Sequence, residues 1–190
     1  MKIRPMSVAG SFYPAQPDEI EGMIGRFNTV LESHPEVRER FDALQGRAVI
    51  VPHAGWVYSG FTANIAHRLL SQSNPDTVVV IGPSHRVGFD GVSIAKADLY
   101  QTPLGELRID TERVNDLQRL FHLPYFPDAH HEHSTEVQMP FIKHYMGNAK
   151  VIELVYAYAD PSHIAPIIDY LLGLKDTAIV ISTDLSHYYS

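Results

Sequence analysis

The chain contains no cysteine among its 190 residues. Disulfides, zinc sites built from thiolates and iron–sulfur clusters are therefore excluded within it. The absence also fits a cytoplasmic protein, because structural disulfides belong mainly to secreted chains. Any metal held by this chain must be bound by nitrogen and oxygen ligands.

Positive charge is sparse as well. Lys and Arg number 15 against 22 Asp and Glu, and the formal net charge is −7. Nucleic-acid binding needs clustered cations, so this composition argues against a nucleic-acid partner. No apolar run approaches the roughly 18 residues of a membrane span, and residues 1–14 lack the layout of a signal peptide. We expect a cytoplasmic globular protein with no membrane partner, and the sequence leaves its oligomeric state open.

Four short apolar runs predict buried strands, at residues 48–51, 77–81, 151–155 and 177–181. They are rich in β-branched residues, and three are almost continuously apolar, as in a parallel sheet covered on both faces. Two further strands are predicted at 91–95 and 106–109. Helical periodicity is found at 18–33, 61–70, 111–121, 136–146 and 164–174. The alternation predicts a single α/β domain over residues 1–190, with a mainly parallel central sheet flanked by helices.

The last predicted strand, 177–181, is followed by only a short polar segment. A buried parallel strand usually needs a covering helix after it. Either this strand lies at a sheet edge, or the sequence is part of a longer protein. We expect the second, with the C-terminal part of the fold lacking.

Histidine is abundant, with 11 copies. Three of the four strands run into loops that contain His53, His85 and His187. Parallel strands end on one side of the sheet, where ligands of open α/β folds bind, so these imidazoles are expected to converge into a metal-type site. Asp184 lies in the last of these loops and could orient a ring. In the second loop, Gly82 permits the close approach of another segment.

A fourth cluster of histidines and glutamates covers residues 130–136. It could be a metal tract, a capped helix start or a polar surface loop. Neighbouring side chains diverge and rarely chelate one ion well. We therefore expect only His133 and Glu136 to turn into the crevice, and the others to face solvent.

Aromatic residues lie close to the predicted site, at Tyr13, Trp56 and Tyr58. They could line a pocket for a planar ligand or pack against the sheet, and both interpretations stay open. The remaining histidines, His67 among them, fall within or at the ends of helices, and we expect structural roles for them.

Five segments taken together, in the same order, resemble the Memo-like family, which is named for the mediator of ErbB2-driven cell motility. Its microbial members are often called AmmeMemoRadiSam system protein B. The segments are residues 9–13, 52–60, 82–85, 132–136 and 182–187. Each motif is weak alone, but the combination is specific and covers essentially the whole chain.

The resemblance implies a fold like that of class III extradiol ring-cleaving dioxygenases, in which two histidines and a carboxylate hold Fe(II). By motif, His53 and His85 would be metal ligands, and His187 would be the acid/base residue beside Asp184. The third ligand is not assigned, with Glu136 and His133 as possible substitutes. Fe(II) is the expected ion, and zinc or copper is also open.

Two functions from different classes follow. The first is a non-haem iron dioxygenase acting on a small aromatic or heterocyclic molecule, with substrate contacts from Tyr13, Trp56, Tyr58, His133 and Glu136. The second is a non-catalytic protein that keeps the pocket for a metal or a peptide. Metal-assisted hydrolysis also fits a histidine-rich crevice chemically, without support from the resemblance.

Overall fold

The computed structural model describes residues 1–184 of the chain. Its helices are α1 (Pro17–Glu32), α2 (Pro35–Asp42), α3 (Trp56–Ser71), α4 (Thr111–Phe121), α5 (His133–Glu136), α6 (Met139–Tyr145) and α7 (Pro161–Gly173). Its strands are β1 (Ile3–Arg4), β2 (Ala48–Val51), β3 (Thr77–Pro83), β4 (Val92–Ile94), β5 (Leu99–Thr102), β6 (Gly105–Arg108), β7 (Lys150–Tyr156) and β8 (Thr177–Ser182). A 3-10 turn covers Pro127–His130.

The central sheet has the strand order β2-β8-β3-β7-β4. Strands β2, β8, β3 and β7 run parallel, and β4 joins β7 in the antiparallel sense. In the register of the sheet, Val79 lies opposite both Ile152 and Ile179, and all three side chains are buried. The predicted α/β fold with a flanked central sheet is confirmed, and the sheet is mixed rather than purely parallel.

Strand β8 lies inside this sheet, between β2 and β3. The possibility that the last strand forms a sheet edge is therefore wrong. Strand β2 forms one edge of the described sheet, and its Ile50 side chain is exposed. Because β8 is central, its carboxyl end lies between those of β2 and β3. The topology thus brings the carboxyl ends of the three strands that precede His53, His85 and Asp184 next to one another.

A second sheet has the order β1-β5-β6, with β1 parallel to β5 and β5 antiparallel to β6. The predicted strand at 106–109 is β6 of this sheet, whereas the one at 91–95 is β4 of the central sheet. Neither β1 nor β5 was predicted. Strand β1 has only two residues, too few for any periodicity to show.

Apolar faces of the helices pack on the central sheet. Helices α4 and α7 contribute Val114, Leu117, Ile167 and Leu171 to the same buried cluster as the strands. A smaller cluster joins α1, α3 and α6 through Ile24, Trp56, Phe141 and neighbouring side chains. Within residues 1–184, no helix is both long enough and apolar enough to cross a membrane.

The helix predicted at 136–146 is α6 in the structure, and its first predicted residue belongs to the separate helix α5. Helix α5 ends at Glu136, and α6 begins at Met139 with Pro140 in its first turn. Proline has no amide hydrogen to donate, which suits the start of a helix and not its interior. The break lets α5 lie against the end of β3 in its own orientation.

Candidate metal centre

His53 follows the end of strand β2, and its ring is buried. Its Nδ1 lies 3.2 Å from Ser182 Oγ. The Ser182 hydroxyl donates its proton to the carbonyl of Ser134 at 2.5 Å, so it accepts from His53 Nδ1. His53 therefore carries its proton on Nδ1 and leaves Nε2 as a free lone pair. The backbone N–H of His53 donates to Asp184 Oδ1 at 2.7 Å, which ties the two loops together.

His85 and His133 share one carboxylate, that of Glu132. His85 Nδ1 lies 3.1 Å and His133 Nδ1 2.7 Å from the same Glu132 oxygen, Oε1. A carboxylate accepts and does not donate, so the hydrogen bond of His85 places its proton on Nδ1, and the close approach of His133 favours the same form. In the neutral form of either ring, Nε2 then holds the lone pair.

The three rings converge. Their centroids are 5.2 Å apart for His53 and His85, 5.6 Å for His53 and His133, and 4.5 Å for His85 and His133. One nitrogen from each ring lies within 4.8 Å of the others. Two nitrogens about 2.1 Å from one ion lie at most about 4.2 Å apart. Small movements of the rings would therefore bring all three nitrogens within bonding distance of one ion. These three histidines can hold a metal ion.

The charge state of the site suits a cation. Burial lowers the pKa of His53 to about 4, with the neighbouring histidines acting in the same direction, so its ring is neutral at pH 7. Burial on its own would raise the pKa of Glu132. Hydrogen bonds from the His133 ring and from the backbone of His85 and Ser134 lower it instead, to about 2. A neutral His53 imidazole and an ionised Glu132 carboxylate both suit a divalent ion.

Phe12 forms one wall beside the cluster. Its ring centroid lies 4.4 Å from that of His133, and its carbonyl accepts from the backbone N–H of Trp56 at 2.7 Å. On the other side, the ring of His85 is 43% exposed. It lines a cavity of about 390 Å³ together with Arg86, Tyr156 and Tyr158. His85 is thus the member of the cluster that borders this cavity.

The structure places Glu136 in the core and not in the crevice. Its carboxylate pairs with the buried Arg4 and accepts from the backbone N–H groups of Ser7 and Val8 at 2.8 Å. The Tyr13 hydroxyl donates to it as well, at 2.8 Å. These donors occupy the carboxylate, and burial together with Glu136 raises the pKa of Tyr13.

The members of the 130–136 cluster other than His133 and Glu136 were expected to face solvent, and this is wrong for His130 and Glu132. The His130 ring is buried, with Nδ1 2.8 Å from Glu153 and Nε2 2.9 Å from the Ser93 hydroxyl. Glu132 is 1% exposed. Each polar group is buried because it has partners on other elements, which the sequence order does not show.

The aromatic residues take different positions. Trp56 stacks on Phe141 with a centroid distance of 3.9 Å, and its Nε1 donates to the carbonyl of Val137. Tyr13 is buried beside it, so both rings pack in the core. Tyr58 is 88% exposed on the first turn of α3.

Of the two predicted catalytic residues, Asp184 lies within the described part of the chain. Asp184 Oδ2 lies 3.8 Å from His53 Nε2, so this carboxylate borders the cluster. His187 lies outside the described residues. Sequence reasoning missed Glu132, Ser182 and Phe12 as neighbours of the cluster. The motif of residues 132–136 carried the signal for Glu132, because a glutamate just before a helix start is placed to cap it.

Comparisons with known proteins identify the family of this chain. The Memo-like protein family matches residues 4–190. A MEMO1 family protein of Ignicoccus hospitalis is 33% identical, over 99% of this chain and 70% of its own length. One of Sulfolobus acidocaldarius is 35% identical over 98% and 70%, and one of Archaeoglobus fulgidus 30% over 98% and 68%. The resemblance seen in the motifs is confirmed.

Proposed function

We propose a function from two premises: the chain belongs to the Memo-like protein family, and His53, His85 and His133 lie together at the edge of its central sheet. The proposed function is binding of one divalent metal ion by these three imidazoles. The convergence of one ring nitrogen from each of three histidines on separate segments is the observation that carries it. A site prepared in this way loses little side-chain entropy when the ion binds.

We propose Fe(II) as the ion. Imidazole suits iron, zinc and copper alike, so the donor set alone does not select among them. The dioxygenase-like fold implied by the family favours iron. Fe(II) bound in such a site supplies open positions at which a substrate and oxygen are held together.

We further propose that the bound metal serves a dioxygenase reaction on a small aromatic or heterocyclic molecule. The cavity of about 390 Å³ beside His85 supports this, because Tyr156 and Tyr158 offer aromatic surface to a planar ligand. Arg86 lines the same cavity and would attract an anionic substituent. Asp184 borders the cluster and is placed to accept a proton from a substrate hydroxyl. The acid/base role of His187 remains a prediction from the motif.

Oxygen consumption tests the proposal. Protein purified without air and loaded with Fe(II) is mixed with a panel of catechols, and oxygen uptake is measured. We expect uptake by the wild type and loss of at least about 100-fold in His53→Ala, because a ligand is removed. His163→Ala is the matched control, since His163 is exposed on α7 and lies outside the cluster. Uptake retained in His53→Ala would contradict the proposal.

A non-catalytic protein that binds a metal or a peptide is the second candidate. A cavity of about 660 Å³ beside Phe12 favours it, because this cavity is lined by apolar Met23 and Val57 and by charged Glu19 and Arg26. Such a groove can accept an extended peptide with mixed side chains. Metal or peptide binding without turnover of any catechol would favour this candidate. The cytoplasmic location, and the expectation of no nucleic-acid partner, remain predictions.

A further inference from the structure

We propose that Glu132 is a positioning residue: one buried carboxylate fixes both His85 and His133 so that their Nε2 atoms face a shared position. The inference rests on the proposed metal-binding function. It adds that the site is ordered before the metal arrives, and it names the group that orders it.

The contacts of Glu132 carry the argument. Its Oε1 faces the Nδ1 atoms of His85 and His133 at 3.1 Å and 2.7 Å. The backbone N–H of His133 donates to the same oxygen at 2.8 Å, and that of Ser134 at 3.2 Å. The other oxygen, Oε2, accepts from the backbone N–H of His85 at 2.7 Å. Every one of these contacts is with a donor, which requires an ionised carboxylate.

Glu132 thus holds each histidine by both its ring and its backbone. Fixing the backbone sets the origin of the side chain, and fixing Nδ1 sets the rotation of the ring. The two rings lie side by side, with centroids 4.5 Å apart and an interplanar angle of 36°. This geometry explains how the adjacent residues Glu132 and His133 serve one site. The Glu132 carboxylate contacts the His133 ring, and the His133 ring presents the ligand atom.

Neighbouring elements hold Glu132 in place. Its backbone carbonyl accepts from the Arg4 guanidinium at 3.3 Å. The next helical turn is tied to strand β3, because the Ser134 hydroxyl donates to the carbonyl of Pro83 at 2.7 Å. The carboxylate therefore has little freedom, and His85 and His133 are fixed to the same rigid support.

A simpler role for Glu132 is to cap helix α5, since its side chain accepts from the first two backbone N–H groups of that helix. Two substitutions separate the roles. Glu132→Ser keeps a good capping residue but cannot reach the imidazoles. Glu132→Gln keeps the size of the side chain but replaces one acceptor oxygen with a donor, so it cannot satisfy all five donors.

The test reads the protonation of each ring nitrogen directly. Imidazole ¹⁵N shifts of the metal-free protein are measured by NMR, and Zn(II) affinity is measured by titration against a competing chelator. For the wild type we expect the Nδ1–H form at both His85 and His133. In both Glu132 variants we expect mixed forms at these two rings, an unchanged His53, and Zn(II) affinity lower by about 10–100-fold. Glu21→Gln is the matched control, because it removes a Glu–His contact with His144 far from the cluster in sequence.

The outcomes separate this inference from the function on which it rests. An Nε2–H form at either ring in the wild type overturns the inference, even if the variants fail to fold. Unchanged ring forms in Glu132→Gln also overturn it, as does a loss confined to Glu132→Ser. Ordered rings in a wild type that does not bind Zn(II) or Fe(II) support the inference and contradict the proposed function.

Discussion

His67 shows how a histidine outside the cluster supports the site at the scale of one residue. Its ring is fully buried on α3, and Nε2 lies 2.9 Å from Gln138 Oε1. The amide of Gln138 donates to the carbonyl of Pro52 at 2.9 Å and to Ser182 Oγ at 3.0 Å. Both Gln138 donors are thus used, and its oxygen must accept from His67. The histidine fixes the amide that holds the loop of His53.

Protonation of His67 would oppose folding. Burial lowers its pKa from 6.5 to about 4, so below pH 6.5 the unfolded chain binds a proton that the folded chain does not. Stability is therefore lost as the pH falls from 6.5 toward 4. We predict that His67 accounts for about 2 kcal/mol of the stability lost between pH 8 and pH 5.

Urea unfolding of the wild type and of His67→Gln at these two pH values checks this prediction. The glutamine can still donate to Gln138 but does not titrate. We expect the variant to lose about 2 kcal/mol less than the wild type on acidification. An equal loss in both proteins would show that His67 does not titrate as proposed. Other groups, His53 among them, contribute to both measurements alike.

At the scale of elements, the contact between β3 and α5 positions two histidines of the candidate site relative to each other. Gly82 lies so close to α5 that a β-carbon there would be 2.7 Å from Ser134 Oγ and 3.1 Å from Thr135 Cγ2. His85 lies just after β3, and His133 is the first residue of α5. A side chain at position 82 would displace the Ser134 hydroxyl, which donates to the carbonyl of Pro83, and crowd Thr135 on α5.

We predict that Gly82→Ala costs about 1–3 kcal/mol of stability through overpacking, and that it also weakens metal binding. The matched control is Gly25→Ala on α1, where an added β-carbon has no heavy atom within 4 Å. That substitution in a helix interior should stabilise the protein by about 0.5–1 kcal/mol. Chemical denaturation and Zn(II) titration measure both effects. Normal metal affinity in Gly82→Ala would show that the close packing of α5 is not needed by the site.

Elements differed in how well the sequence predicted them. The four parallel strands are short, apolar and β-branched, and these local features suffice to predict them. Helix α2 was not predicted because only Phe41 of its residues is buried, so it has no apolar stripe to detect. Strand β1 is defined by its pairing with β5, and pairing across 96 residues leaves no local pattern. Strand β5 was missed although it also pairs with the neighbouring β6.

The sequence likewise predicted only part of the candidate site. His53 and His85 follow predicted strands, so their meeting follows from topology. His133 and Glu132 lie on a loop whose direction is set by contacts with Arg4 and β3, and no periodicity reveals those contacts. The buried position of His130 depends likewise on Glu153 of a distant strand.

On the scale of the whole molecule, Arg4 joins parts that are far apart in the chain. From β1 of the small sheet, its guanidinium pairs with Glu136, lies 3.6 Å from Glu153 on β7 and donates to the carbonyl of Glu132. All three acidic residues are buried. Arg4 thus links the small sheet to the central sheet and to residues 132–136.

We predict that Arg4→Met destabilises the protein by about 3–5 kcal/mol, because Glu136 and Glu153 lose their buried counter-charge. Arg38→Met is the matched control, since its pair with Asp42 is exposed and spans one helical turn. That pair should contribute no more than about 0.5 kcal/mol. Urea unfolding at pH 7 measures both variants. Adding Glu136→Gln to Arg4→Met should recover part of the loss, and a further loss of equal size would contradict the ion-pair explanation.

Metal analysis of the intact protein tests the three-histidine centre most directly. Protein purified without air is saturated with Fe(II) or Zn(II), freed of unbound ions and analysed for metal per chain. We predict one ion per chain in the wild type and in His163→Ala, and at most a small fraction of that in His53→Ala, His85→Ala and His133→Ala. A full ion per chain in all three cluster variants, each folded as the wild type, would contradict a metal centre at these histidines.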